Sequence, residues 1–400
     1  MKPMPFERQK VESVTPHRYR ELGISPAVKA GPLLFISGQS AINAAGEVTD
    51  RGDIEGQARV AFERIQEIVQ EAGGSMDDIV DILASFLDIR EADTVLNVAH
   101  KYFRSNYPAW TLMGSHGFRQ RGVLVQVHAV AHLGKEKKRC FLPESLRWWK
   151  DKPVSGACRK GPYLFVSGQL PIDMDGNVVN SGDHAGQARY LFHRMKDLVQ
   201  LAGGNLEQDA LDLISFSVDP RCFGPMCDVK NREFLTMPFS QAPCSSILAC
   251  AGLYKPLAFH TVRLTCEIGN GKAVAYTPSN LFWRYLPVSG GTKKEEGHLL
   301  CIAGEVSMDM DGQIVAPGDP VAQARYAFNR IQEVIHLAGG TMDNLVDIIS
   351  FHKDPRAIES VMAVGREYFR APGPAWTAMG YTGGYFEGHL HEICARAWLP

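Results

Sequence analysis

The chain of 400 residues has no cysteine before Cys140 and no Cys-x-x-Cys pair anywhere. Its nine cysteines stand at unmatched positions, which argues against a disulfide framework or a structural zinc site. They are expected to be reduced and mostly buried thiols. No run approaches the ~18 apolar residues of a membrane span, and Met1-Lys2-Pro3-Met4-Pro5-Phe6-Glu7 lacks the apolar core of a secretory signal. Neither sign of charge prevails: Lys and Arg number 42 and Asp and Glu 44, for a net charge of −2. That leaves no electrostatic footprint for nucleic acid or an anionic membrane. No glycine-rich phosphate loop follows a strand in the required context, so nucleotide binding has no support. The expectation is a cytoplasmic protein with a small-molecule substrate, without cofactor, metal, nucleic-acid or membrane partner.

What the chain does have is repetition. Ser37-Gly38-Gln39 returns as Ser167-Gly168-Gln169 and again, after a similar interval, as Ala303-Gly304-Glu305. Ala72-Gly73-Gly74 recurs as Ala202-Gly203-Gly204 and Ala338-Gly339-Gly340, and Gln57-Ala58-Arg59 as Gln187-Ala188-Arg189 and Gln323-Ala324-Arg325. A period this long means whole domains in tandem, because solenoids and propellers repeat every ~20–50 residues. Three domains are expected, over 17–135, 151–269 and 286–400.

Each copy reads alike. A short apolar strand, such as Leu33-Leu34-Phe35-Ile36, leads into the corner, and a turn with glycine at its tip follows (Gly46, Gly176, Gly312). A helix comes next, with Ala58, Phe62, Ile65 and Val69 at helical spacing, and Ala-Gly-Gly stops it. Then come an aspartate-bearing strand (Asp81, Asp212, Asp347), a second helix, a proline (Pro108, Pro243, Pro374) and two final strands. The order predicts an α+β domain, a mixed sheet with two helices on one face. The junctions share Pro-x-x-Leu-x-Trp spacing, at Pro143-Glu144-Ser145-Leu146-Arg147-Trp148 and Pro278-Ser279-Asn280-Leu281-Phe282-Trp283. Each is expected to form a short helix with a packed tryptophan, not a flexible linker of Gly and Ser. The path of residues 1–16 is left open.

Taken in order, the corner, the Ala-Gly-Gly stop, the second helix and the Pro-Ala-x-Thr turn resemble the RidA/YjgF family of enamine/imine deaminases. The resemblance runs through nearly all of each repeat, from Ser25-Pro26-Ala27-Val28-Lys29-Ala30-Gly31 to the last strand. It implies three RidA-like, chorismate-mutase-like domains forming an intrachain pseudo-trimer, with sites at the interfaces between copies. Further self-association stays open.

The resemblance also assigns roles. The corner glycine, here Gly38, Gly168 or Gly304, offers its carbonyl to the substrate nitrogen, and Ser37 stands beside it. The family's carboxylate-gripping arginine is replaced by Trp110, Ser245 and Trp376. Its water-holding glutamate, at one fixed distance after the turn proline, is Gln126, Thr261 and Glu392. A tryptophan cannot imitate the bidentate guanidinium, but it offers a flat apolar wall. Trp110 and Trp376 therefore point to a planar conjugated substrate of the 2-aminomuconate type over 2-aminoacrylate. Arg119 and Arg121 are the candidate replacement cations.

Glu305 replaces the corner glutamine, so Glu305 and Glu392 are expected at one cleft, with one pKa raised. In the implied mechanism Glu392 activates water, the Gly304 carbonyl orients the nitrogen and Glu305 protonates the departing amine. Strand alternation should send His389 and His391 to one face and Glu392 to the other. Two other readings stand beside the hydrolytic deaminase. One is a non-catalytic ligand-binding or sensor protein. The other is a Ser/Lys ring-opening amidohydrolase, on the recurrent pairs Ser25/Lys29, Ser155/Arg159 and Ser289/Lys293.

Overall fold

The computed structural model describes residues 9–11, 19, 22–279 and 288–400. In the first repeat the sheet order is Ala27–Ala30, Leu33–Gln39, Val125–His132, Ile79–Phe86, Ala109–Gly114. Only the last pair runs parallel, so the sheet is mixed. The helix Ile54–Glu71 buries Ala58, Phe62, Ile65 and Val69, the apolar stripe expected from the spacing. Asp53 caps its start by accepting from the Gly56 amide at 3.0 Å. At its end Gly73 takes φ +85°, a left-handed conformation that costs glycine little. The other repeats build the same helix as His184–Leu201 and Pro320–Leu337, capped by Asp183 and Asp319.

Each sheet also recruits a strand from the chain just upstream. Gln9–Val11 pairs with Ala27–Ala30, Arg139–Phe141 with Ala157–Lys160, and Ala273–Tyr276 with Gly291–Lys294. These additions cover what would otherwise be unpaired sheet edges. The first junction forms the short helix Glu144–Trp149, where Trp148 and Trp149 stack 3.9 Å apart and Trp149 lies against Tyr254. The second junction from Asn280 on, and the start of the third domain at 286, lie outside the described residues. No helix among the described residues is long and apolar enough to cross a membrane.

Three equivalent parallel bridges close the repeats into a ring: Ala109 with Ser155, Cys244 with Ser289, and Ala375 with Ser25. The backbone amides of Trp110 and Trp376 each donate to a corner serine of the next copy, Ser167 and Ser37, both at 2.8 Å. Residues from all three repeats pack into one shared centre, among them Phe35, Phe165 and Cys301. Charge is buried across the same interfaces. Arg263 pairs with Asp81, His128 lies 3.2 Å from Asp347, and Arg396 lies 3.9 Å from Asp212. The expected α+β triplication is therefore realised as an intrachain ring.

Candidate active site

The ring sets a rule the repeats alone do not show: the turn of one copy meets the corner of the next. Trp110-Thr111 faces Gly168 and Thr261, Trp376-Thr377 faces Gly38 and Gln126, and Ser245-Ser246 faces Gly304 and Glu392. In each case the corner amide donates to the turn hydroxyl, at 3.2 Å for Gly168, 2.8 Å for Gly38 and 2.7 Å for Gly304. The corner is a β-bulge, visible as register shifts between Ile36 and Gln39 and between Ile302 and Glu305. Bulges commonly re-aim backbone beside functional sites. A β-carbon on Gly304 would run into the Glu392 carboxyl, so only glycine lets the two approach.

This rule separates residues expected to act together. Glu392 lines the cleft between repeats 2 and 3, while Trp376 lines the one between repeats 3 and 1. Neither tryptophan stands opposite the single glutamate. Both rings are almost fully buried and pack inside their own repeats, Trp110 against Phe62 and Trp376 against Phe328. The Trp376 indole N–H is satisfied by Ser350 Oγ at 2.8 Å. The broad aromatic wall expected beside Glu392 is not made by these residues.

The other candidates divide in the same way. Gly38, Gln126 and Arg119 do share the 3/1 cleft, a cavity of about 80 Å³, but Arg119 is ion-paired with Glu359 at 2.8 Å. Arg121 lies in the open groove alongside, not in that cavity. Ser37 has its hydroxyl committed, accepting from the Trp376 amide across the ring and donating to Ser25 O at 2.6 Å. Glu305 is fully buried and does not line the cavity at Glu392. The charges acting on it are those of Arg330 and Glu333, and burial lifts its carboxyl to about 8. It cannot reach a departing amine directly.

The Ser/Lys pairs are likewise committed elsewhere. Ser25 and Ser155 donate to the carbonyls of Gly373 and Tyr107, both at 2.6 Å. Arg159 donates to the Ala202 carbonyl at 2.6 Å, and Lys293 to those of Lys294 and Gly297, both at 2.8 Å. The geometry of an activated serine is therefore not assembled in the second and third repeats.

The 2/3 cleft holds a cavity of about 350 Å³. Repeat 3 contributes Gly304, Glu392, His389, Tyr385 and Phe386, and repeat 2 contributes Lys230 and Ser245. Burial, reinforced by the charge of Glu305, holds the Glu392 carboxyl well above the usual carboxylate range. Among the described residues no cation pairs with it. A β-carbon on Gly384 would lie 3.1 Å from His389 Nδ1 and 3.8 Å from Glu392 Oε2, so imidazole and carboxyl flank one spot of the wall. The alternation expected of His389 fails because the strand begins only at His391, after Gly388 at φ +96°. Burial drops the His389 imidazole to about 4, so it is neutral.

Lys230 is the residue that motif reading missed. It leaves the end of the helix Phe223–Val229, is 1% exposed, and donates to Ser245 Oγ at 2.9 Å. Ser245 stands at the position where the family pattern places its arginine. A cation from another element thus arrives where the guanidinium is lost. The matching positions in repeats 1 and 3 are Ala99 and Gly365, so only the glutamate-bearing cleft has this ammonium.

Three α+β units closed into a ring, with cavities at their seams, define a trimer-like fold contained in one chain. The chain belongs to the family described as Endoribonuclease L-PSP, whose profile matches residues 19–133, 151–259 and 290–397; this is the RidA/YjgF group that the motifs resemble. It is 38% identical over 106 residues to the RutC family protein YjgH of Escherichia coli, covering 26% of this chain and 78% of that one. It is 32% identical over 109 residues to the RutC family protein PH0854 of Pyrococcus horikoshii, covering 27% and 85%. Among solved structures, a chorismatase superposes with a TM-score of 0.55 over 80% of this chain and 93% of its own, at 12% identity. That likeness extends the shared fold across more than one repeat.

Proposed function

We propose that the chain is a hydrolytic deaminase of carboxylate-bearing enamines and imines, working in the single cleft between repeats 2 and 3. The observation that carries this reading is a buried carboxyl, Glu392, held above the usual carboxylate range and facing the same cavity as the buried amino group of Lys230. Among the described residues no carboxylate pairs with Lys230, and burial pulls its pKa below the ordinary lysine value. An ammonium buried without a counter-ion is costly, and a substrate carboxylate in the cavity supplies the missing charge.

The chemistry follows from the protonation states. Protonated Glu392 gives its proton to the β-carbon of the enamine, which becomes an iminium ion. The resulting carboxylate then takes a proton from water as the oxygen adds to the C=N carbon. The carbinolamine collapses to the oxo acid and ammonia, with the Gly304 carbonyl orienting the nitrogen throughout. One group acts first as acid and then as base, which suits a carboxyl whose pKa burial raises. Glu305 acts at a distance: once ionised, above about pH 8, it raises the Glu392 carboxyl further.

On substrate, the 2-aminomuconate type keeps its place for a different reason than the tryptophans. The cavity is roomy, and Tyr385 and Phe386 supply an aromatic side, Tyr385 stacking on Phe223 at 5.8 Å. The test is ammonia release from 2-aminomuconate-type and 2-aminoacrylate substrates by the purified chain. Turnover of the longer substrate is expected to exceed that of the shorter. No turnover of either would leave a ligand-binding module in place of an enzyme.

A further inference from the structure

We propose that His184, Cys222 and His260 of the second repeat form a zinc site separate from the cleft. One ligand atom from each lies within 4.8 Å of the others, and Cys222 Sγ is 3.1 Å from His184 Nδ1. His260 is fully buried, and its Nδ1 is tied to Ser217 Oγ at 2.8 Å. That bond fixes the ring and leaves Nε2, which has no partner, free to bind a metal. A hydrogen bond on the far nitrogen is the usual outer-shell support of a metal-binding histidine.

The three residues come from three elements. His184 opens the helix His184–Leu201, Cys222 closes the turn Pro220–Cys222, and His260 opens the strand His260–Glu267. Their counterparts are Ile54, Glu91 and Val125 in repeat 1 and Pro320, Ala357 and His391 in repeat 3. No other repeat carries the set: repeat 3 shares only the histidine, while His184 and Cys222 are peculiar to repeat 2. A thiolate with two imidazoles is a donor set that selects zinc, with the half-buried His184 side leaving room for a water as fourth ligand. Binding releases the Cys222 proton to solvent. Cys222 immediately precedes the helix Phe223–Val229, which leads to Lys230 and borders the cleft at Gly224. A metal there clips the start of that cavity wall to the body of repeat 2.

The experiment loads the full chain with zinc, removes the excess, and measures bound metal together with thermal unfolding with and without chelator. One zinc per chain and a chelator-dependent drop in Tm are expected. His184→Ala and Cys222→Ala should abolish retention, Ser217→Ala should weaken affinity by about 10- to 100-fold, and Lys230→Met should leave it unchanged. His184 is half-buried, so its variant is expected to fold, which circular dichroism verifies. Retention that survives both His184→Ala and Cys222→Ala, or no retention by the parent chain, overturns the site. Loss of deamination with zinc retained would strike the proposed function alone.

Discussion

The ammonium of Lys230 donates to the hydroxyl of Ser245 at 2.9 Å, and together these side chains replace the pair Gly365 and Trp376 of the third repeat. There a β-carbon on the glycine would come within 2.6 Å of the indole, so the large ring demands the small partner. Where the ring is lost, a long side chain fills the space and brings a charge. Lys230→Met keeps the length and removes the ammonium. It should lower kcat/KM for carboxylate substrates through KM, by the ~1.5–3 kcal/mol of a charged hydrogen bond, roughly 10- to 100-fold. An amide analogue of the substrate should lose far less. Equal losses on both would deny Lys230 its role.

Trp376 and Gln126 face a different cleft, and their variants separate stability from turnover. Trp376→Ala should cost about 3–5 kcal/mol of stability as a buried aromatic truncation. Rates per folded molecule should stay near those of the parent for both Trp376→Ala and Gln126→Ala. Denaturant titration and an active-fraction assay check this together.

Glu305 makes stability depend on pH. Its carboxyl titrates at about 8 in the fold against an ordinary 4.5, so the folded state holds a proton that the unfolded chain gives up. That contribution is complete below about pH 4.5 and is lost as pH rises toward 8, at up to about 1.4 kcal/mol per pH unit. Glu305→Gln should flatten the slope and stabilise the chain at pH 8, by an amount on the order of a few kcal/mol. Parallel slopes for parent and variant would contradict the raised value.

The ring is held by charge as well as by apolar packing. Arg263 and Asp81 come from different repeats and are both buried. Arg263→Ala leaves that carboxylate without its partner and should destabilise the fold by about 3–5 kcal/mol. Replacing both residues by apolar ones of similar size should recover much of the loss. Thermal unfolding of the single and double variants provides the measurement.

Local pattern carried the repeat architecture, because glycine corners, helix caps and apolar spacing are short-range signals. Ala58, Phe62, Ile65 and Val69 are buried where their periodicity placed them. Pairing across the ring is not written locally. Glu392 and Trp376 belong to the same repeat yet face different neighbours. Lys230 escaped because the family resemblance assigns no site residue to the second helix. A comparison of the second helices alone would have shown a lysine against Ala99 and Gly365. His184, Cys222 and His260 meet only after the sheet and helices are assembled.

Ammonia release by Glu392→Gln, measured beside the parent chain on one carboxylate-bearing enamine, tests the central claim most directly. The amide keeps the shape but can neither donate the proton to carbon nor accept one from water. A loss of about 10²- to 10⁴-fold in kcat is expected, with the fold and substrate affinity largely retained. Unchanged turnover would place the chemistry outside the cleft between repeats 2 and 3.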